Sequence, residues 1–331
     1  MDLQMKAKKN VPFVSLLVVN YNGKDILKLC FPSLKKLNYP KNRYEIIVVD
    51  NGSTDGSIQF LKKEYPDVKI VQNKKNLGYV GINFGLKHCK GKYIYFLNND
   101  LILQKDCLHY LVEEIQKDKN IGMAAHEGIN YYNKKLVSGG TWASRIMYCG
   151  HHPMEDKKKV REIPYMGSGL IRKSVIDAYG YLFDEDYFIY AEDFDLGLRI
   201  RLLGMKTIQV KKARCYHFDS FTMKRVSSPS RNTFLLEKNL LTTFFKLFSL
   251  KTIILLFPLV LAARMLNIIK DITRLNFKNA IARARSILWV VFHFRGILIK
   301  RTDTQRLRKE SDSYILRIFS EKYTLKKPYI I

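Results

Sequence analysis

Four apolar runs, FVSLLVV (13–19), YEIIVVD (44–50), VKIVQ (68–72) and KYIYFL (92–97), punctuate the first hundred residues. Helix-like stretches near 24–37, 54–65 and 79–89 fill the intervals. The runs are continuously apolar rather than alternating, the pattern of strands buried on both faces. Strand, helix, strand, helix at this spacing predicts an α/β fold with a mostly parallel sheet, because parallel neighbours need a crossover of about this length. The first constraint on the chain is therefore architectural.

Downstream, a helix is expected over 106–118 and a strand over IGMAA (121–125). Residues 126–163, with a Gly-Gly pair, Trp142 and the charge run EDKKKVRE, read as a hairpin and mobile loop. A strand then leads into a short helix opened by Ser174. In the next helix Phe194, Leu198 and Leu202 recur every four residues, and Gly204 closes it. MKTIQV reads as a further strand, followed by RCYHFD.

The chain of 331 residues carries a net charge of +27, unevenly spread. Residues 224–331 hold 22 Lys and Arg against 6 Asp and Glu, a net of +16. Such a tail suits nucleic acid or an anionic membrane surface. Five scattered cysteines without a C-x-x-C pair suit a reducing compartment and offer no zinc site. The polar start, MDLQMKAKKN, has no secretory character, so cytoplasmic exposure is expected.

Four polar clusters interrupt the apolar segments: VVNYNG (18–23), VVDNGSTDGS (48–57), FLNND (96–100) and AEDFD (191–195). Taken singly, each has a plain structural account. Asn and Asp form turns, and carboxylates at a helix N-terminus gain about 0.3–1 kcal/mol each from the macrodipole. His217 alone reads as a structural histidine. Against this, open α/β sheets place ligands at the carboxyl ends of strands. The turn after Asp50 can hold phosphate on its N–H groups, although it lacks the G-x-G-x-x-G of a dinucleotide site. Asp50 itself can hydrogen-bond a base or ribose.

These clusters, with NKKNLGYVGINFGL (73–86), MGSGLIRK (166–173), YAEDFDLGLRIRLLG (190–204) and the later His217, occur in a telling order. Over residues 12–220 the chain resembles the family 2 glycosyltransferases of the GT-A fold, in the branch of rhamnosyl- and galactofuranosyltransferase-like enzymes. The resemblance implies a Rossmann-like catalytic domain over 1–223, with a nucleotide-binding half (12–105) and an acceptor-binding half (106–223). It implies inverting, metal-dependent transfer of a sugar from a nucleotide-diphosphate donor to a hydroxyl. Asn20, Tyr21, Asp50, Asn76, Asn98 and Asn99 would meet the nucleotide, with Gly78 and Gly81 allowing close approach. FLNND stands where the family has a D-x-D metal motif, its first Asp replaced by Asn98. Asp100 and His217 would hold Mn²⁺ or Mg²⁺. Asp193 matches the catalytic base, with Glu192 the competing candidate and Asp195 anchoring the helix. Ser168 and Gly169 would line the acceptor side, and Trp142 offers either a stacking face or a core residue.

In the tail, the apolar runs 253–263 and 286–294 fall short of the roughly 20 residues needed to span a bilayer. Basic flanks and Trp289 suit helices lying in the headgroup region. RTDTQRLRKESDSYILRIF (301–319) reads as one amphipathic helix. The expected partners are a nucleotide-sugar donor, a glycan or polyprenyl-linked acceptor and an anionic membrane surface. The enzyme is then peripheral or monotopic at the inner face of the cell membrane. Nucleic acid is not expected, because the tail's charges are interleaved with long aliphatic runs rather than an aromatic platform. The competing readings are a helical domain packed on the catalytic one, a sugar-nucleotide nucleotidyltransferase, a nucleic-acid binder and a non-catalytic relative.

Overall fold

The computed structural model describes residues 11–138, 140–151, 158–218 and 228–320. β1 (Val14–Asn20) leads through α1 (Lys24–Lys35) to β2 (Tyr44–Asp50), α2 (Ser57–Glu64) and β3 (Lys69–Gln72). A 3₁₀ segment, Gly78–His88, precedes β4 (Tyr93–Asn98) and the short β5 (Leu101–Leu103). β1 lies between β2 and β4 and is parallel to both, and β3 extends the sheet in the same sense. The parallel sheet read from the sequence is present. The helix expected over 79–89 is not α-helical: glycines at 78, 81 and 85 weaken the α form. The tighter coil passes so close to the sheet that a Cβ on Gly85 would fall 2.5 Å from Leu17.

The second half is mixed. α3 (Cys107–Lys117), β6 (Ile121–Asn130) and β7 (Leu136–Ser138) precede a hairpin of β8 (Thr141–Ala143) and β9 (Cys149–His151). Then come β10 (Val160–Ile163), β11 (Gly169–Arg172), α4 (Lys173–Tyr179), α5 (Glu192–Leu202) and β12 (Lys206–His217). The sheet order is β10-β12-β6-β11-β4-β1-β2-β3, with β11 antiparallel to both neighbours. Several boundaries differ from the sequence reading. β6 continues to Asn130, and residues 206–217 of the MKTIQV and RCYHFD segments form one strand with a register shift between Val210 and Arg214. No side chain caps α4, so Ser174 does not open it. Residues 152–157, within the expected mobile loop, lie outside the described residues, as does the expected division at 223.

Two apolar clusters cover the faces of the sheet, and a third lies between α5, the β8–β9 hairpin and the C-terminal helices. Those helices are α6 (Pro229–Leu247), α7 (Leu250–Thr273), α8 (Phe277–Phe292), α9 (Phe294–Arg306) and α10 (Asp312–Leu316). α6 starts sharply because Ser228 caps it and Pro229 occupies the first turn. α7 corrects the sequence reading: the helix runs 24 residues, with a mean hydropathy of 2.2 over an 18-residue stretch, and is long and apolar enough to cross a membrane. Only Leu256, Val260 and Arg264 on it are buried, one stripe at four-residue spacing. The single helix expected over 301–319 is also broken, at 307–311, where the N–H groups of Lys309 and Glu310 bond the carbonyl of Leu202.

Buried charges tie α6 to α5. Lys246 Nζ lies 2.6 Å from Asp184 and 2.7 Å from Asp195, and Arg199 Nε lies 2.7 Å from Asp195. Lys246, Asp195 and Arg199 have no solvent exposure. The set is stable only while complete, since removing one partner leaves an uncompensated charge in a dry interior. Lys246→Ala is expected to lower unfolding free energy by about 3–5 kcal/mol in urea titration with unchanged slope.

Candidate active site

Three strand tips meet in one hydrogen-bonded knot. Asn20, at the end of β1, donates from Nδ2 to Asp50 Oδ1 (2.8 Å) and accepts from Asn99 Nδ2 (2.8 Å). Ser53 Oγ donates to Asp50 Oδ1 and its backbone N–H to Asp50 Oδ2. Asp50 is completely buried, with both oxygens engaged. It therefore fixes the turn after β2. Tyr21 and Asn98 flank the knot with partly exposed side chains.

Asn76 accepts from the Gly78 N–H in a local turn. Gly78 has φ +67°, and a Cβ there would lie 2.0 Å from the Phe188 carbonyl. The close approach expected of this glycine is thus to the chain's own 188 segment. It delivers Tyr79, whose hydroxyl donates to the Gly167 carbonyl at 2.7 Å. Burial and the charges of Glu192, Asp193 and Asp100 together push the Tyr79 phenol well above its ordinary range. One side chain therefore sits in the field of Asp100 and of the sequence-distant pair Glu192 and Asp193.

Asp100 follows β4, and His217 ends β12, which pairs antiparallel with β5. That pairing sets His217 Nε2 3.3 Å from Asp100 Oδ1. Asp100 is buried, and its Oδ1 accepts no hydrogen bond among the described residues. A buried oxygen without a donor beside an imidazole suits a cation. Among the described residues no cluster of three ligating side chains forms, so Mn²⁺ or Mg²⁺ here would draw its other ligands from diphosphate oxygens and water.

Glu192 and Asp193 open α5 after a strained entry: Tyr190 and Ala191 have φ of +71° and +58°. Two successive left-handed residues other than glycine cost about 1–3 kcal/mol each unless their surroundings impose them. Here α6 imposes them. Asn239 Nδ2 donates to the carbonyls of Ile189 (3.1 Å) and Tyr190 (2.6 Å), and Lys238 Nζ to that of Asp186 (2.5 Å). The geometry turns both carboxylates inward. Burial, and then Asp193, push Glu192 well above the usual carboxylate range, and Glu192 Oε2 has no hydrogen-bond partner among the described residues. Burial raises Asp193 to about 6, partly offset by the Phe194 N–H at 2.8 Å. Gly167 faces Asp193: a Cβ there would lie 3.4 Å from its carboxylate.

Ser168 lies beside the same cleft but is buried, 3.2 Å from His126 Nε2, while His126 Nδ1 meets the Tyr95 hydroxyl at 2.8 Å. Burial and then His217 hold His126 down at about 3, so it is neutral. Gly169 is a β11 residue pressed on β6, where a Cβ would meet Met123 at 2.6 Å; it serves sheet packing rather than an acceptor surface. Trp142 is buried in the third apolar cluster, which favours the core reading over a stacking face. Sequence reasoning missed Tyr79, His126, Ser53 and Asn239. Tyr79 lay inside a quoted motif, whereas His126 follows an apolar run and carried no signal of its own.

Comparison with known proteins bears on family and fold. Residues 15–179 match the model of Glycosyl transferase family 2. The poly(ribitol-phosphate) beta-glucosyltransferase of Bacillus spizizenii is 34% identical over 125 residues, 35% of this chain and 19% of its own. Glycosyltransferase AglE of Haloferax volcanii is 25% identical over 51% of this chain and 56% of its own. The chain thus spans less than two thirds of these relatives. The mannosyltransferase PcManGT from Pyrobaculum calidifontis, solved with GDP-Man and Mn²⁺, superposes with a TM-score of 0.54 at 16% identity. That match covers 93% of this chain and 86% of the other, and the shared architecture is the GT-A fold. If Asp100 and His217 form the cation site, Asp100→Ala should weaken Mn²⁺ binding by at least roughly tenfold in a spin-resonance titration.

Proposed function

Since residues 15–179 belong to glycosyl transferase family 2, we propose that this cleft transfers a sugar from a nucleoside-diphosphate donor to an acceptor hydroxyl with inversion. The observation that carries the reading is the placement of Asp193, a carboxylate raised to about 6, which acts on Tyr79 together with Asp100 and has Gly167 against it. A divalent ion, when bound, offsets the charge that develops on the departing diphosphate. Asp100 and His217 are the residues that would hold it.

The chain's own residues do the remaining work. Tyr21, Asn76 and Asn98, on the rim of the strand tips, would contact the nucleotide, and the Asn20–Asp50–Asn99 knot keeps those tips in register. Asp193 accepts the proton of the attacking hydroxyl, and inversion follows if that hydroxyl approaches from the side opposite the diphosphate. Glu192 is also pushed up, by burial and then by Asp193, so the pair disfavours carrying two negative charges at once. The opening beside Gly167 and Ser168 would admit the acceptor.

The acceptor we favour is a lipid-linked or cell-envelope glycan, reached from a membrane surface. Eighteen of the twenty-one large apolar side chains exposed among the described residues lie between Leu250 and Ile299. Patches of this extent mark membrane or protein contacts. α7 lies against the catalytic half: Arg264 bonds the carbonyls of Ile146 and Met147 in the β8–β9 turn. A helix held along the protein in this way favours a monotopic position over a crossing.

Asp193→Asn should fold and bind donor yet lose transfer by about 10²–10⁴-fold, the usual contribution of a general base. Its melting temperature should rise at neutral pH. A carboxyl raised in the folded state costs stability above that value, and the amide removes the cost. In the wild type, kcat/KM should fall tenfold per pH unit below about 6 and level off above it, followed by coupled assay of nucleotide release. Near-normal turnover by Asp193→Asn would contradict the assignment.

A further inference from the structure

At the junction of α6, α7 and α8 lies a cavity of about 420 Å³ remote in sequence from the active-site motifs. Asn267, Lys270, Asp271 and Arg274 project into it at the spacing of one helix face, and Asn279 and Arg283 close it from α8. Its charges are unbalanced. The two acids are spent on other partners: Asp271 takes Arg283 Nε at 2.8 Å, and Glu237 pairs with Arg283 and Arg264. Lys270 and Arg274 form no ion pair among the described residues. Two uncompensated cations and two amide side chains thus face one polar hollow.

Its surroundings are apolar. Ile269, Ile272, Phe277 and Ile281 are 45–58% exposed on the outer side of the same helices. At the α7–α8 turn, Leu275 has φ +57° and is 76% exposed. A bulky side chain in that backbone region is strained, and water gives it nothing in return. A polar hollow opening at the rim of an apolar face has the arrangement of an amphiphile: acyl chains along the face, headgroup in the hollow.

We propose that this cavity binds the phosphate of an anionic lipid headgroup, with Lys270 and Arg274 as its charge-assisted donors and Leu275 and Phe277 entering the acyl layer. The inference rests on the membrane reading above and adds a specific site to it. Diffuse attraction would weigh all basic residues near the surface alike. A built site gives Lys270 and Arg274 more than their share, because direct N–H···O⁻ bonds to phosphate add to the field.

The test is co-sedimentation of the full chain with phosphatidylcholine vesicles, with and without phosphatidylglycerol. Two variants of equal net charge are compared, Lys270→Gln/Arg274→Gln and Lys251→Gln/Lys278→Gln; the second pair is exposed and outside the cavity. The site predicts that the wild type prefers the anionic vesicles and that the first pair loses roughly tenfold more of that affinity than the second. Equal losses, or equal binding to both vesicle types, would overturn the site and leave the membrane reading standing. Absence of wild-type binding to either vesicle would overturn both. Donor binding by the same preparations is a separate readout, since neither pair touches the cleft.

Discussion

Everything in the cleft depends on the turn at Tyr190 and Ala191, where two side-chain-bearing residues are held in left-handed backbone. Left alone, that turn would relax and swing the start of α5 outward. It does not relax because Asn239 holds its carbonyls and because Lys238, Lys246 and Lys300 hold the 184–186 stretch behind it. All four belong to the C-terminal helices. The helical region is therefore more than a basic appendage: it fixes the two carboxylates in a place they would not choose.

That place is costly for a charge. Glu192 and Asp193 sit side by side with little water: burial raises both, and Asp193 adds to the cost of ionising Glu192. Water-poor surroundings that disfavour a carboxylate also make it a better proton acceptor at neutral pH. The stability given up at α5 is offset elsewhere, in apolar packing and in the complete ion pairs around Asp195. This division, strain at the site and satisfied contacts behind it, accounts for why neighbouring acids in AEDFD behave so differently: Asp195 is paired on two sides, and Glu192 has an orphan oxygen.

Much of this was readable in the chain. Continuous apolar runs marked the parallel strands, and polar residues at their ends marked the cleft side of the sheet. Asp100 and His217 were expected as a pair although they are far apart in sequence, and β5 and β12 bring them together. What the residues did not disclose depends on tertiary context. The antiparallel insertion of β11 is a matter of topology, which short-range pattern does not encode. His126 looked like the end of a strand because its neighbours lose their apolar character there, yet hydrogen bonds carry the strand five residues further. Asp50 carried a functional-looking motif, and its oxygens also hold Ser53 and Asn20 in place. α7 was underestimated because the apolar run stops before Arg264, whereas the helix continues through it to Thr273.

The central claim is spatial: one cation between Asp100 and His217, with Asp193 across from it. Anomalous diffraction from crystals grown with Mn²⁺ and a nucleoside diphosphate tests it without reference to turnover. The account predicts a manganese peak bonded to Asp100 Oδ1 and His217 Nε2, diphosphate oxygens completing its shell, and the Asp193 carboxylate facing it over an open sugar-sized space. A peak away from this pair, or Asp193 turned out of that space, would contradict it.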